Sequence, residues 1–150
     1  MKQRYTSAAT SINSKRMPAI YKKVDIDKGL ILDYGCGRFF DSYGLPKNVH
    51  GYDKYNRPNT EELNMKYDKV LCSNVLNVIA EREIRLEVLE DLKRLGNTVY
   101  ITVYEGNKTG IGAETKSDCY QLNRTLQSYL SEVAEVFGRV TVRNGMIIAE

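Results

Sequence analysis

An acid followed by two glycines stands directly after a short apolar run near the start of the chain. The run Leu30–Leu32 leads into Asp33, and Gly35 and Gly37 follow. Glycine permits a tight turn and lets a ligand approach the backbone closely, and a short helix over 38–43 would direct its free N–H groups at an anionic group. This pattern predicts a turn that binds a small ligand. The alternative is an ordinary turn between a strand and a helix.

A second acid, Asp53, ends another short apolar segment, Val49–Tyr52, and stands 16 residues after Gly37. In nucleotide-binding α/β folds, an acid at the end of the strand beside a glycine turn accepts hydrogen bonds from ribose hydroxyls. The spacing allows Asp53 to occupy that place. The alternative is a surface turn, because residues 53–59 are mostly polar.

A third segment, Tyr67–Ile79, carries an apolar strand that runs into Ser73 and Asn74 and then into a short apolar turn. The three segments read LDYGCG, GYD and YDKVLCSNVLNVI. In this order and spacing they resemble the class I S-adenosylmethionine-dependent methyltransferases, and the resemblance extends from about Leu30 to the C-terminus. That family carries an acid-x-Gly-x-Gly turn, a ribose-binding acid after its second strand, and a fourth strand that begins with an aromatic residue and Asp.

The resemblance implies an S-adenosylmethionine site at the ends of these strands. The turn 33–37 matches the one that approaches the methionine part of the cofactor. Asp53 matches the ribose acid, and the pair Ser73-Asn74 matches the strand end that faces the sulfonium and the methionine amino group. The expected cofactor-binding residues are Asp33, Tyr34, Gly35, Gly37, Tyr52, Asp53, Lys54, Ser73 and Asn74.

Three departures from the family pattern modify these expectations. Phe39 occupies the usual third glycine position. This residue also argues against a nicotinamide-dependent oxidoreductase, because the fingerprint of that class uses a third glycine for helix–strand packing. Only 14 residues separate Asp53 from Asp68. A helix and a third strand do not fit there, so the sheet is predicted to be trimmed, with the adenine-contacting acid of that strand missing or supplied by the loop 59–66. The sequence also lacks the Pro-Pro and Pro-Cys signatures of DNA base methyltransferases.

These candidate residues need a parallel sheet to bring them together, and the remaining pattern predicts one. Short apolar runs without alternation are typical of strands buried on both faces, and they occur at 29–33, 49–52, 69–73 and 98–104. Apolar residues at helical spacing predict helices at 81–95 and 126–137. Asn144-Gly145 predicts a terminal hairpin. The predicted fold class is α/β, a Rossmann-like, mainly parallel sheet with helices on both faces and a C-terminal antiparallel β-hairpin.

No residue is identified as catalytic. Methyl transfer from a sulfonium is an in-line displacement in which the protein mainly orients the reactants and excludes water, and a base is needed only if the acceptor loses a proton early. The candidates for such a base are Asn77, Tyr104 and Glu105. His50 precedes its strand at the remote end and is predicted to be structural. The Gly-rich segment 106–112 lacks the spacing of a phosphate loop and is predicted to be a lid or substrate loop.

Composition limits the class of protein. The length of 150 residues predicts a single domain, 1–150, in which residues 1–17 form a polar, basic arm or lid. No apolar run approaches the ~18 residues of a membrane span, so no membrane partner is expected. Three widely spaced cysteines and one histidine fit neither a disulfide framework nor a structural zinc site. The expected location is therefore the cytoplasm, with reduced thiols and no metal.

Two alternative functions stay open on the sequence. One is a non-catalytic binding or regulatory protein on a methyltransferase-like scaffold. The other is a nucleic-acid-binding accessory protein that uses residues 1–28, which carry a net charge of +5 and would give an affinity that falls steeply with salt. The methyl acceptor is unassigned and can be a small molecule, a nucleic acid or a protein. It is expected either to be small or to be held by the arm and the loop 106–123.

Overall fold

The apolar runs of the sequence pair into a six-stranded sheet. The computed structural model describes residues 16–116 and 119–150. The strands are β1 (Ile31–Tyr34), β2 (Val49–Tyr52), β3 (Tyr67–Ser73), β4 (Gly96–Thr102), β5 (Ala113–Lys116), β6 (Cys119–Gln121), β7 (Val140–Arg143) and β8 (Met146–Ala149). The α-helices are α1 (Ile20–Lys23), α2 (Arg82–Leu95) and α3 (Leu130–Val136). Single 3-10 turns occupy Phe40–Tyr43, Thr60–Asn64, Leu76–Val78 and Leu126–Tyr129.

The strand order of the sheet is β2-β1-β3-β4-β8-β7. β2, β1, β3 and β4 are parallel, whereas β8 is antiparallel to β4 and β7 is antiparallel to β8. Asn144 and Gly145 connect β7 to β8 with φ of 54° and 71°, the positive values that a tight type I′ hairpin turn requires. The predicted α/β fold, mainly parallel with a C-terminal antiparallel hairpin, is confirmed.

Helical elements cover both faces of the sheet, but unequally. Successive strand side chains point to opposite faces. Leu32, Val70 and Val99 are fully buried on the face that packs against α2 and α3. Ile31 and Leu71 are buried on the opposite face, which packs against α1 and the Phe40–Tyr43 turn. The long helices therefore stabilise one face, and short elements cover the other.

The sheet is trimmed beside β2, as the short spacing predicts. β2 is an edge strand, and a single 3-10 turn, Thr60–Asn64, stands between it and β3. Arg57 covers part of the open edge, because its Nε donates to the Gly51 carbonyl at 3.2 Å and its backbone pairs with that of Asp53. Such cover matters because an unpaired strand edge is a template for aggregation.

Three predicted elements differ in detail. The helix expected over 38–43 is one 3-10 turn, and it ends at Gly44 in the left-handed conformation. The helix expected over 126–137 begins as 3-10, because Ser128 Oγ donates to the Thr125 carbonyl at 2.6 Å and such local bonds compete with regular helix. The loop 106–123 contains the β5–β6 hairpin, which its mixed polar sequence does not reveal.

The predicted basic arm or lid falls mainly outside the described residues, since only Arg16 and Met17 of the range 1–17 belong to them. Within the described ranges, no helix is long and apolar enough to cross a membrane.

Candidate functional site

The glycine turn after β1 is tied to the end of β2. The backbone N–H groups of Gly35 and Cys36 both donate to the Tyr52 carbonyl, at 2.7 and 3.0 Å. Gly35 has φ of 84°, and a Cβ there would stand 2.4 Å from a methyl of Val75. Gly37 has φ of 77°, and a Cβ there would meet no atom of the described residues within 4 Å. Gly35 therefore permits close packing inside the protein, while the described part of the chain leaves the space beside Gly37 open.

Replacement of Gly37 by Ala should weaken ligand binding at this turn about tenfold, because the added methyl group enters the space beside the backbone. The positive φ costs about 1 kcal/mol of folding free energy as well. Gly44→Ala is the matched control: the φ of Gly44 is 62°, a Cβ there also meets no described atom within 4 Å, and Gly44 lines neither of the cavities at the turn. Calorimetric titration and thermal melts of both variants separate the two effects. Equal binding losses in both variants would contradict a role for Gly37 in the site.

Asp53 holds the two turns together through its carboxylate. Its Oδ2 accepts the Gly37 N–H at 2.9 Å. Its Oδ1 accepts the backbone N–H groups of Tyr55 and Asn56, each at 3.0 Å, and the Asn56 side-chain amide at 3.2 Å. The position agrees with that of the predicted ribose acid, but most of its acceptor capacity already serves the backbone.

Asp33 is buried on the other side of the glycine turn and is 2% exposed. Its Oδ2 accepts the hydroxyl of Tyr21 from α1, whereas Oδ1 has no hydrogen-bond partner among the described residues. Burial raises the pKa of the Asp33 carboxyl to about 7, the hydrogen bond from Tyr21 opposes the rise, and the charge of Asp53 adds to it. An unpartnered buried acceptor of this kind fits a cationic group of a ligand.

Ser73 and Asn74 end β3 beside β4. Thr102 Oγ1 donates to Ser73 Oγ at 2.9 Å, and the Asn74 N–H donates to the Thr102 carbonyl at 2.9 Å. Asn74 has φ of 60°, and asparagine is one of the few residues other than glycine that adopt a left-handed conformation at low cost. The residue type therefore suits the bend at this strand end, next to the glycine turn.

Two cavities meet at these strand ends. The larger, of about 320 Å³, contains Tyr34, Tyr52, Asp53 and Lys54 in its lining. The smaller, of about 180 Å³, contains Asp33. Both share the same four residues at their junction: Gly35, Gly37, Ser73 and Asn74. The structure thus brings all nine predicted residues to one elongated site, and their role in cofactor binding stays a prediction.

The sequence does not indicate several other lining residues. One wall of the larger cavity is a stripe of α2 at helical spacing: Ile84, Glu87, Val88 and Asp91. Arg16 and Arg38 line the smaller cavity. The i, i+3, i+4, i+7 spacing of these four residues places them on one face of α2, but the same spacing is typical of a helix face that packs on the core. Among the described residues, none of 59–66 lines the larger cavity.

Two of the three candidate bases, Asn77 and Glu105, have structural contacts. Asn77 is 2% exposed, and its side-chain amide donates to Gln121 Oε1 at 3.0 Å, which joins the Leu76–Val78 turn to β6. Glu105 Oε2 accepts the Leu126 N–H at 2.7 Å. Tyr104 is 63% exposed. His50 lies within β2 and not before it, contrary to the expectation, and its Nδ1 lies 2.8 Å from Glu62 Oε2. The part of the chain that the structure describes holds no cluster of three or more metal-ligating side chains.

Fold and site together define an α/β protein with a mainly parallel sheet, in which two adjoining cavities cross the carboxyl ends of β1, β2 and β3. A crystal structure of the N-terminal domain of EvdMO1 with SAH bound shares this fold, with a TM-score of 0.54 and 15% identity over 88% of this chain and 78% of that chain. The same domain in the presence of SAH and D-fucose gives 0.51 and 13% identity over 88% and 79%. No family model and no curated protein matches the chain. These likenesses show the fold.

Proposed function

We propose that this chain is an S-adenosylmethionine-dependent methyltransferase. The observation that carries the proposal is the junction of the two cavities at Gly35, Gly37, Ser73 and Asn74. An elongated ligand with a cationic amino-acid end and a nucleoside end fits this arrangement. The SAH-bound domain that shares the fold supports this identification of the ligand, since SAH is the product left when S-adenosylmethionine has given up its methyl group.

The ends of the site differ in charge and polarity, and this sets the direction of the ligand. In the smaller cavity, Asp33 Oδ1 accepts from the ammonium of the methionine part, and the guanidinium groups of Arg16 and Arg38 favour its carboxylate. In the larger cavity, Asp53 and Lys54 meet the ribose, and a ribose hydroxyl that donates to Asp53 replaces one of the four hydrogen bonds that this carboxylate accepts from its own turn. The reactive sulfonium supplies the methyl group when the cofactor is bound.

The chain's own contribution to the reaction is orientation and exclusion of water. Ser73 and Asn74, fixed by Thr102, hold the middle of the site rigid, and a rigid site lowers the entropic cost of an in-line displacement. Asn77 and Glu105 already serve structural hydrogen bonds, and Tyr104 is largely exposed and lines neither cavity, so we propose an acceptor that reacts without early loss of a proton. The whole chain, 1–150, is proposed to act as a single domain in which the loop 106–123 holds the acceptor.

Titration of the purified chain with SAH tests the proposal. We expect saturable binding with one site per chain, and no competition from a nicotinamide dinucleotide. Absence of SAH binding by the wild-type chain would reject it. Incubation with methyl-labelled S-adenosylmethionine and separate pools of small molecules, nucleic acid and protein then distinguishes an enzyme from a binding protein. SAH binding without any labelled product would favour the non-catalytic alternative, which the structural engagement of Asn77 and Glu105 also favours.

A further inference from the structure

The nucleoside end of the site has an unassigned wall. Among the described residues, no strand lies beyond β2 on that side, and none of 59–66 lines the larger cavity. α2 lines it instead, through Ile84, Glu87, Val88 and Asp91. This wall faces Tyr34 and Tyr52, whose ring centroids are 5.3 Å apart. A base that enters the larger cavity therefore meets aromatic rings and the side of a helix.

The carboxylates of this cavity differ in how much acceptor capacity they retain. Three line it among the described residues: Asp53, Glu87 and Asp91. Asp53 already accepts four hydrogen bonds. Asp91 accepts a long hydrogen bond of 3.4 Å from the Tyr34 hydroxyl and has a loose ion pair with Arg94 at 3.7 Å. Glu87 makes no hydrogen bond or ion pair within the described part of the chain. Acceptors are thus free on α2.

The direction of the ligand follows from an independent feature at the other end. Asp33 is almost fully buried and belongs to the lining of the smaller cavity, and its Oδ1 has no hydrogen-bond partner among the described residues. It fixes the cationic end of the ligand there, and the nucleoside must then cross the Gly35–Gly37 turn into the larger cavity. Beyond Asp53 and Lys54, which meet the ribose, the remaining space is bounded by the α2 stripe.

We propose that Glu87 and Asp91 on α2 recognise the exocyclic amino group of the cofactor's adenine. That group donates two hydrogen bonds, and a carboxylate is an acceptor-only group with several free lone pairs. The pair stands at i and i+4, which places both side chains on one helix face. Tyr34, which donates to Asp91, positions that carboxylate beside the ring. This inference rests on the proposed function and names what selects the base at the same site.

The test compares SAH with its analogue in which hypoxanthine replaces adenine, so that a carbonyl oxygen stands where the amino group was. We expect the wild-type chain to bind SAH at least about tenfold more tightly than the analogue, because a site built to accept from an amino group leaves its acceptors unpaired against a carbonyl. In Glu87→Gln/Asp91→Asn this preference should fall about tenfold or reverse, because both amides can donate to the carbonyl.

Glu90→Gln is the matched control, since Glu90 is an exposed acid on α2 that is not part of the cavity wall; its preference should equal that of the wild type. Thermal melts verify that every variant is folded. If Glu87→Gln/Asp91→Asn prefers SAH over the analogue as strongly as the wild type does, the inference is overturned. The proposed function still stands in that case, because the chain binds SAH. A wild-type chain that binds neither compound would overturn both.

Discussion

Replacement of Arg85 by Met should lower the free energy of unfolding by about 3–5 kcal/mol, because it leaves a buried carboxylate without its main partner. Arg85 on α2 and Glu132 on α3 are 5% and 4% exposed. The guanidinium donates to both carboxylate oxygens, at 2.9 and 2.7 Å. It also donates to the Ile79 and Ala80 carbonyls, at 2.9 and 3.1 Å. Arg124 remains near Glu132 at 3.3 Å and offsets only part of the loss.

The same two helices provide the control for this prediction. Arg82 on α2 pairs with Glu135 on α3, and both side chains are about half exposed. An exposed pair contributes about 0–1 kcal/mol, so Arg82→Met should be nearly neutral. Urea unfolding at neutral pH measures both variants. If Arg82→Met costs as much as Arg85→Met, burial is not the reason for the effect. Arg85→Met/Glu132→Leu should recover much of the stability, since it removes the uncompensated charge.

The contribution of the buried Arg85–Glu132 pair to the free energy of unfolding also depends on pH. Burial alone would raise the pKa of Glu132, but the hydrogen bonds and charges of Arg85 and Arg124 outweigh it and hold that pKa below its usual value. The stabilisation is therefore present above the unfolded-state pKa and is lost as the pH falls through the folded-state pKa. The difference in stability between the wild type and Arg85→Met should shrink in acid.

The sequence predicts the strand ends better than the surfaces around them. The positions of Asp33, Asp53 and Ser73 could be predicted because each directly follows an apolar run, and the carboxyl ends of neighbouring parallel strands lie at one edge of the sheet. The position of each acid or serine within its own segment was sufficient to predict where it lies. The missing strand beside β2 was predictable for the same reason, since 14 residues between Asp53 and Asp68 have no room for it.

Features that depend on two distant segments were not predictable. Glu132 lies 47 residues from Arg85, and no local pattern indicates that these two charges are buried against each other. Glu87 and Asp91 have the sequence context of ordinary solvent-exposed helix positions, and only the folded structure places them in the wall of a cavity. Likewise, the free oxygen of Asp33 depends on the fact that Tyr21 of α1 contacts only the other oxygen.

Replacement of Asp33 by Asn should weaken SAH binding at pH 8 by about 100-fold or more, because truncating one member of a buried charged pair costs about 2–5 kcal/mol of binding free energy. The same change should stabilise the ligand-free protein at pH 8. The pKa of Asp33 is raised from 3.8 to about 7, so its proton stabilises the fold below pH 3.8 and that contribution is lost as the pH rises through 7. Asn avoids this loss and should raise the free energy of unfolding by about 1–3 kcal/mol.

Opposite effects on binding and stability separate a functional role of Asp33 from a folding defect. Calorimetry gives the affinity, and urea unfolding without ligand gives the stability. Asp27→Asn, which removes an exposed carboxylate away from both cavities, should change neither. A variant Asp33→Asn that loses stability and affinity together would show that the carboxylate is structural.

The wild-type affinity should itself depend on pH through Asp33. Only the ionised carboxylate pairs with the ligand's ammonium. The affinity for SAH is therefore proportional to the fraction of Asp33 that is ionised. With the pKa of Asp33 at about 7, the dissociation constant should rise about tenfold between pH 8 and pH 6, and Asp33→Asn should show no such dependence. Because the Tyr21 hydroxyl lowers that pKa, Tyr21→Phe should move the midpoint of this pH-dependent change in affinity above pH 7. A midpoint that stays in place would mean that another group governs the pH dependence.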